Sequence, residues 1–191
     1  MTMHKKALEH KRWLRREKKE ERNEIGDDEL ADAGHFIAEH IFKRDEYISA
    51  DVVFCYLNFG KEVPTGEIIE DALAKGKTVC VPRCVTKTEM QACEYRIESD
   101  LIENSYGIKE PGEDARIIEK KDIDLAIVPC VTVDRRGNRC GYGAGYYDRF
   151  LENINCIKVA LCMERIISEK VPVDEHDIAM DMVITEKQIY K

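Results

Sequence analysis

The chain patterning predicts an α/β fold of three layers, α/β/α, built on a mostly parallel sheet and preceded by amino-terminal helices. Three observations lead there. Residues 1–45 carry helical periodicity with one break. Beyond them, short apolar runs of strand length alternate with segments of helix length. One of those runs, Ile123-Asp124-Leu125-Ala126-Ile127-Val128-Pro129, reads as a buried strand. Strands that alternate with helices imply parallel neighbours covered on both faces, with the ligand site among loops at the strand carboxyl ends.

The elements follow in order. The first helical stretch breaks near Gly26-Asp27-Asp28, where an aspartate is expected to cap the helix carrying Leu30, Ala33, Ile37, Ala38 and Ile41. Residues 51–57 form a strand candidate, Thr65 is expected to cap a helix running to Gly76, and residues 78–82 form a second strand. Residues 90–97 alternate as a half-buried strand does, and the stretch after them, through Tyr106-Gly107-Ile108-Lys109-Glu110-Pro111-Gly112, reads as irregular. The strand at Ile123, a helix over residues 146–151, a strand over 157–163 and a last strand over 182–185 complete the series. There is no repeat, low-complexity segment or linker, so residues 1–191 are expected to form a single domain.

A hydrophobic content of 43% over 191 residues suffices for a full core. No apolar run approaches membrane-spanning length, and Met1-Thr2-Met3-His4-Lys5-Lys6 leads into charged sequence, so the expectation is a cytoplasmic protein without a membrane partner. Cys55, Cys80, Cys93, Cys130 and Cys162 lie in apolar strand-like segments, where cysteine acts as a small hydrophobe. Cys80 and Cys84 lack a second pair and a histidine at zinc-site spacing, which favours reduced thiols over a metal site. Of the net charge of −8, residues 1–24 hold nine Lys/Arg against five Glu, and so stand out as basic on an acidic body. One basic segment is too little for nucleic acid; a compact anionic ligand fits better. Lys11 and Arg15 share a helix face, with Lys18, Lys19 and Arg22 continuing near it. The alternative is a solvated helix pairing Lys with Glu across its turns.

The most informative segment is Arg139-Cys140-Gly141-Tyr142-Gly143-Ala144-Gly145-Tyr146-Tyr147-Asp148-Arg149. Three glycines on alternate residues expose backbone amides just before a helix start, a geometry suited to phosphate. It matches neither the dinucleotide fingerprint nor the phosphate-loop Gly-Lys-Ser/Thr ending. Arg139 and Arg149 add cation, Asp148 a hard oxygen donor suited to magnesium, and Tyr146 and Tyr147 stacking surface or hydroxyls. Tyr146/Phe150 and Tyr147/Leu151 are also spaced for core packing.

Five segments together resemble the 5-formyltetrahydrofolate cyclo-ligase (methenyltetrahydrofolate synthetase) family over nearly the whole chain. They are Lys11-Arg12-Trp13-Leu14-Arg15; Leu57 through Glu62-Val63-Pro64-Thr65; Tyr106 through Glu110-Pro111-Gly112; residues 134–151; and Val171-Pro172-Val173-Asp174-Glu175-His176-Asp177. The resemblance implies ATP- and Mg2+-dependent closure of 5-formyltetrahydrofolate to 5,10-methenyltetrahydrofolate, with the gamma-phosphoryl first placed on the formyl oxygen. It places Lys11, Arg15, Arg139, Cys140, Gly141, Tyr142, Gly143, Ala144, Gly145, Tyr146 and Tyr147 around ATP, and Asp148 and Asp177 on magnesium. Leu57, Glu62, Tyr106, Tyr142 and Tyr147 would meet the folate, and Glu62, Arg139, Tyr147 and Asp148 would serve the chemistry. His176 is expected to orient or cap. Some family members carry Arg and Lys where this chain has Tyr142 and Ala144, which shifts the cationic role to Arg139, the first helix, and Lys109 or Arg149. A monomer is expected, with a weak homo-oligomer as the alternative. A paralogue acting on another folate or amide, and a non-catalytic nucleotide- or folate-binding protein, remain as alternatives.

Overall fold

The computed structural model describes residues 3–97, 101–104 and 107–191, with side chains from residue 7 onward. Helices α1 (Met3–Asn23) and α2 (Asp27–Phe42) lead in, separated at Gly26. The expected aspartate cap is not made: extended Gly26 is the N-cap, and Asp27, Asp28 and Glu29 fill the first turn, where they meet the positive end of the helix dipole. Then come α3 (Asp45–Ile48), β1 (Val52–Cys55), α4 (Gly66–Ala74), β2 (Thr78–Cys84) and β3 (Met90–Glu94). Thr65 does precede α4, but its hydroxyl donates to the Tyr56 carbonyl at 2.7 Å and not to the helix.

The stretch expected to be irregular contains β4 (Leu101–Glu103) and β5 (Lys109–Pro111), paired antiparallel. Three residues give no readable alternation, and the pairing comes from a partner outside the local window. Next are β6 (Ile117–Ile118) and β7 (Leu125–Val128). A hairpin of β8 (Thr132–Val133) and β9 (Arg139–Cys140) separates β7 from α5 (Tyr146–Leu151), so the glycine loop leaves a hairpin and not the buried strand. Asp134 pins the hairpin turn by accepting from the N–H groups of Arg136 and Asn138 and ties it to Val171. β10 (Ile157–Leu161) and β11 (Met182–Ile184) follow, and β11 is not the last strand: β12 (Ile189–Tyr190) turns back along it.

Eight strands form one sheet in the order β12-β11-β10-β7-β1-β2-β3-β6. The inner five, from β11 to β2, are parallel; β12, β3 and β6 pair antiparallel at the margins. β7 is buried at every position, as are Val53, Phe54 and Cys55 of β1, so both faces are covered. On one face Phe54 stacks on Phe150 of α5, ring centroids 4.7 Å apart; the next residue, Cys55, points the other way, where Tyr47 of α3 lies. From β1 the chain builds outward through β2, then returns to place β7 on the opposite flank of β1. The loops after β1 and β7 therefore diverge, and a crevice opens between them at the strand carboxyl ends.

Candidate active site

A cavity of about 980 Å3 occupies that crevice, large enough for two drug-sized ligand moieties. Tyr56, Leu57, Phe59 and Glu62 enter it from beyond β1, Pro129 from beyond β7, and Pro82 and Cys84 from β2. α1, the glycine loop, α5 and residues 174–178 close the remaining sides.

The glycine spacing has a steric cause. A Cβ on Gly141 would stand 2.8 Å from the Arg139 guanidinium, on Gly143 3.4 Å from that of Arg15, and on Gly145 2.6 Å from that of Arg149. Three arginines thus pack directly against the loop backbone, and Gly143 at φ 109 and Gly145 at φ 70 adopt conformations that disfavour side chains. Arg15 Nε donates to the Gly141 carbonyl at 2.7 Å. Arg149 donates to Ala144 and Thr88 carbonyls, and the Tyr146 hydroxyl to that of Thr86, so both anchor the loop to the turn after β2. Arg139 Nη1 donates to the Pro129 carbonyl and Nη2 to both Asp148 carboxylate oxygens at 3.1 Å. Its Nε is buried with no partner among the described residues. No side chain caps α5, whose N-cap is Gly145.

α1 belongs to the site. Leu14 packs with Cys140 and Val171 in a small separate cluster, which seats the helix on the loop. Lys11 is buried and ion-pairs with Asp174 at 3.3 Å and with Asp177. Burial pushes the Asp174 carboxyl up, but the His176 N–H and Lys11 outweigh it and leave it below its ordinary value. Lys19 lies over the Tyr142 ring at 5.2 Å. Lys18 pairs with Glu21 one turn on, and to that extent the solvated-helix alternative holds.

Leu57, Glu62 and Tyr147 line the cavity as well. Glu62 is 8% exposed and accepts the Phe59 N–H at 2.8 Å. Burial raises its pKa; the Tyr142 hydroxyl, the Phe59 N–H and Arg22 pull against that rise. The Tyr147 ring sits between Phe54 and the Arg139 guanidinium, its phenol pushed well up by burial and then by Glu62. Tyr142 meets both halves, through Lys19 on one side and Glu62 on the other. Tyr106 lies outside the described residues. Lys109 lines the cavity.

Sequence reasoning gave Glu110 and Asp174 no role of their own and had Arg22 only continuing near the basic face of Lys11 and Arg15. Glu110 is buried in the cavity wall and accepts from the Cys84 N–H at 3.2 Å and Asn104 Nδ2 at 2.7 Å. Asp174 shares Lys11 with Asp177, and Arg22 continues the inward stripe of Lys11 and Arg15 at helical spacing. That stripe was the available signal.

The Ile178 N–H donates to Asp148 Oδ1 at 3.4 Å, which brings the backbone next to Asp177 up to Asp148, while Asp177 pairs with Lys11 and Asp148 with Arg139. Their oxygens are hard donors that fit magnesium, and a pair of carboxylates leaves room for phosphate oxygens and water. No cluster of three or more His, Cys, Asp or Glu side chains poised for a metal occurs among the described residues. His176 is exposed; its backbone N–H caps Asp174 Oδ1 at 3.0 Å.

The family model for the 5-formyltetrahydrofolate cyclo-ligase family matches residues 7–186. The chain is 30% identical over 200 residues to the 5-formyltetrahydrofolate cyclo-ligase of Saccharomyces cerevisiae, covering 91% of this chain and 94% of the relative. It is 29% identical over 189 residues to that of Mus musculus, covering 92% and 93%. Its fold matches the NMR structure of Aquifex aeolicus 5,10-methenyltetrahydrofolate synthetase with a TM-score of 0.85 at 26% identity, over 95% of this chain and 92% of that one. A family match over nearly the full length, laid on a cavity lined by the residues that carry it, places this chain in the 5-formyltetrahydrofolate cyclo-ligase family of enzymes.

Proposed function

We propose that this chain cyclises 5-formyltetrahydrofolate to 5,10-methenyltetrahydrofolate in an ATP- and magnesium-dependent reaction that releases ADP and phosphate. The observation that carries the reading is one cavity lined both by the cationic Lys11, Arg15 and Arg139 with residues 141–145 of the glycine loop and by Leu57, Glu62 and Tyr147.

The formamide oxygen is a poor leaving group, so it accepts the gamma-phosphoryl before nitrogen 10 closes on the activated carbon. Positioning and charge neutralisation are the chain's contribution. Lys11, Arg15, Arg139 and the loop amides hold phosphate oxygens, with Cys140, Tyr142, Ala144 and Tyr146 shaping the cradle. Asp148 and Asp177 would hold magnesium, which would supply positive charge to the phosphates. Without ligand, the pairs Arg139–Asp148 and Lys11–Asp177 keep these charges compensated. Glu62 accepts hydrogen bonds from the folate, Leu57 and Tyr106 offer it apolar surface, and Tyr147 lies beside the formyl group.

The reading includes a cytoplasmic monomer that engages neither nucleic acid nor membrane. The acidic net charge supports it, as does the inward turn of the basic stripe of α1. Among the described residues no helix is long and apolar enough to cross a membrane. The test is incubation of purified protein with 5-formyltetrahydrofolate, ATP and magnesium while methenyl absorbance is followed. Product is expected only when all three are present. ATP turnover on a different amide, without methenyl product, would replace this function by that of a paralogue.

A further inference from the structure

Arg22 does not line the large cavity, yet its guanidinium is drawn into the protein until the residue is 8% exposed. Three site loops converge on it. Nε donates to the Lys61 carbonyl at 3.2 Å, beyond β1; Nη1 donates to the Cys130 carbonyl at 3.1 Å, beyond β7, and to the Tyr142 hydroxyl at 3.2 Å, in the glycine loop. Lys61 adjoins Glu62 in the chain, and the Tyr142 phenol is close enough to the Glu62 carboxylate to act on it, as Arg22 is. A buried cation is tolerated only when its donors are satisfied, and here each acceptor belongs to a segment that walls the cavity.

We propose that Arg22 is a positioning residue for the cyclisation: through Tyr142 and the Lys61 and Cys130 carbonyls it fixes the Glu62 carboxylate against the folate half of the cavity. The inference rests on the function proposed above. The titratable groups that face Glu62 are Arg22 from α1, Tyr56 beyond β1, Cys130 beyond β7, Tyr142 from the glycine loop and Tyr147 from α5. Of this set Arg22 alone is a cation. Its loss removes a charge that favours the Glu62 carboxylate and frees the tyrosine beside it, so the carboxylate would be lost at a higher pH.

The test combines 13C-detected titration of Glu62, assigned by disappearance in Glu62→Gln, with steady-state kinetics on the parent, Arg22→Gln, Arg22→Lys and Tyr142→Phe. In Arg22→Gln the Glu62 midpoint is expected to rise and the KM for 5-formyltetrahydrofolate to increase roughly tenfold, with ATP affinity within about twofold of the parent. Arg22→Lys keeps the charge but not the fork of bonds, so it should restore the midpoint and leave KM raised. Tyr142→Phe should reproduce the effect if Arg22→Gln does not fold. An unchanged midpoint and KM with only a lower Tm would overturn the proposal, as would full recovery of KM in Arg22→Lys. Should the parent itself fail to make methenyl product, the proposed function falls, while the titration still decides whether Arg22 sets Glu62.

Discussion

Glu62 and Asp148 are two carboxylates handled in opposite ways. Glu62 is buried with one backbone N–H, a phenol and an arginine that stands off at the far side of that phenol, and burial wins, raising its pKa. A raised folded-state value means that ionisation is disfavoured by folding: the stabilising contribution is complete below the unfolded pKa and disappears as pH climbs through the folded one. Glu62→Gln is therefore expected to have a higher Tm than the parent near pH 7 and to lose that advantage in acid. In the parent, kcat/KM for the folate should fall with acid at a pH above the ordinary carboxylate range; the substitution should flatten that limb and raise KM. A Tm scan across pH and a pH–rate profile check both. Asp148 instead faces Arg139, whose side chain is 2% exposed. Asp148→Asn should reduce kcat/KM by about 100-fold or more at limiting magnesium, and leave the arginine uncompensated at a cost of about 3 kcal/mol. Parent-like turnover in a magnesium titration would remove the metal role. Asp148 was visible in the sequence from its place at the end of the glycine run, whereas Glu62 was visible only through resemblance, because nothing in a chain's pattern distinguishes a carboxylate aimed inward from one in solvent.

At the scale of elements, α1 and the glycine loop act as one unit. Leu14 anchors the helix on Cys140 and Val171, while Arg15 reaches from that helix to the Gly141 carbonyl. Leu14→Ala should cost about 2 kcal/mol, read by urea unfolding. Lys11→Ala and Arg15→Ala should each weaken ATP roughly tenfold while folate affinity stays near parental; calorimetric titration of each ligand separates the two, and equal loss of both would place α1 outside the nucleotide half. α1, α2 and α5 were legible because helical periodicity and the glycine run are local signals. The β8–β9 hairpin, β4, β5 and β12 were not: strands of two or three residues have no period, and they exist because a distant segment offers the partner. The capping aspartate was misplaced for a related reason. Asp27 is engaged by Lys61 across 2.6 Å, a contact that no local window contains.

For the whole molecule, alternation of strands and helices was enough to predict the parallel core, since fully apolar strands need cover on both faces. The reversal of direction at β1 was not predictable from alternation, yet it is what parts the loops after β1 and β7 and makes the cavity. On the function proposed above, ATP and folate would share that crevice, and each should stabilise the fold: either ligand at about 100 times its dissociation constant should add about 2.7 kcal/mol, seen as a rise in Tm. The proposal gives that joint occupancy one purpose, to bring a phosphoryl group to the formyl oxygen. The measurement that addresses this most directly uses 5-formyltetrahydrofolate labelled with 18O in the formyl group, converted with ATP and magnesium, with the released phosphate read by 31P NMR. One 18O per phosphate is expected, because the formyl oxygen leaves on the transferred phosphoryl. Phosphate that carries only ATP- and water-derived oxygen, alongside full methenyl formation, would contradict it.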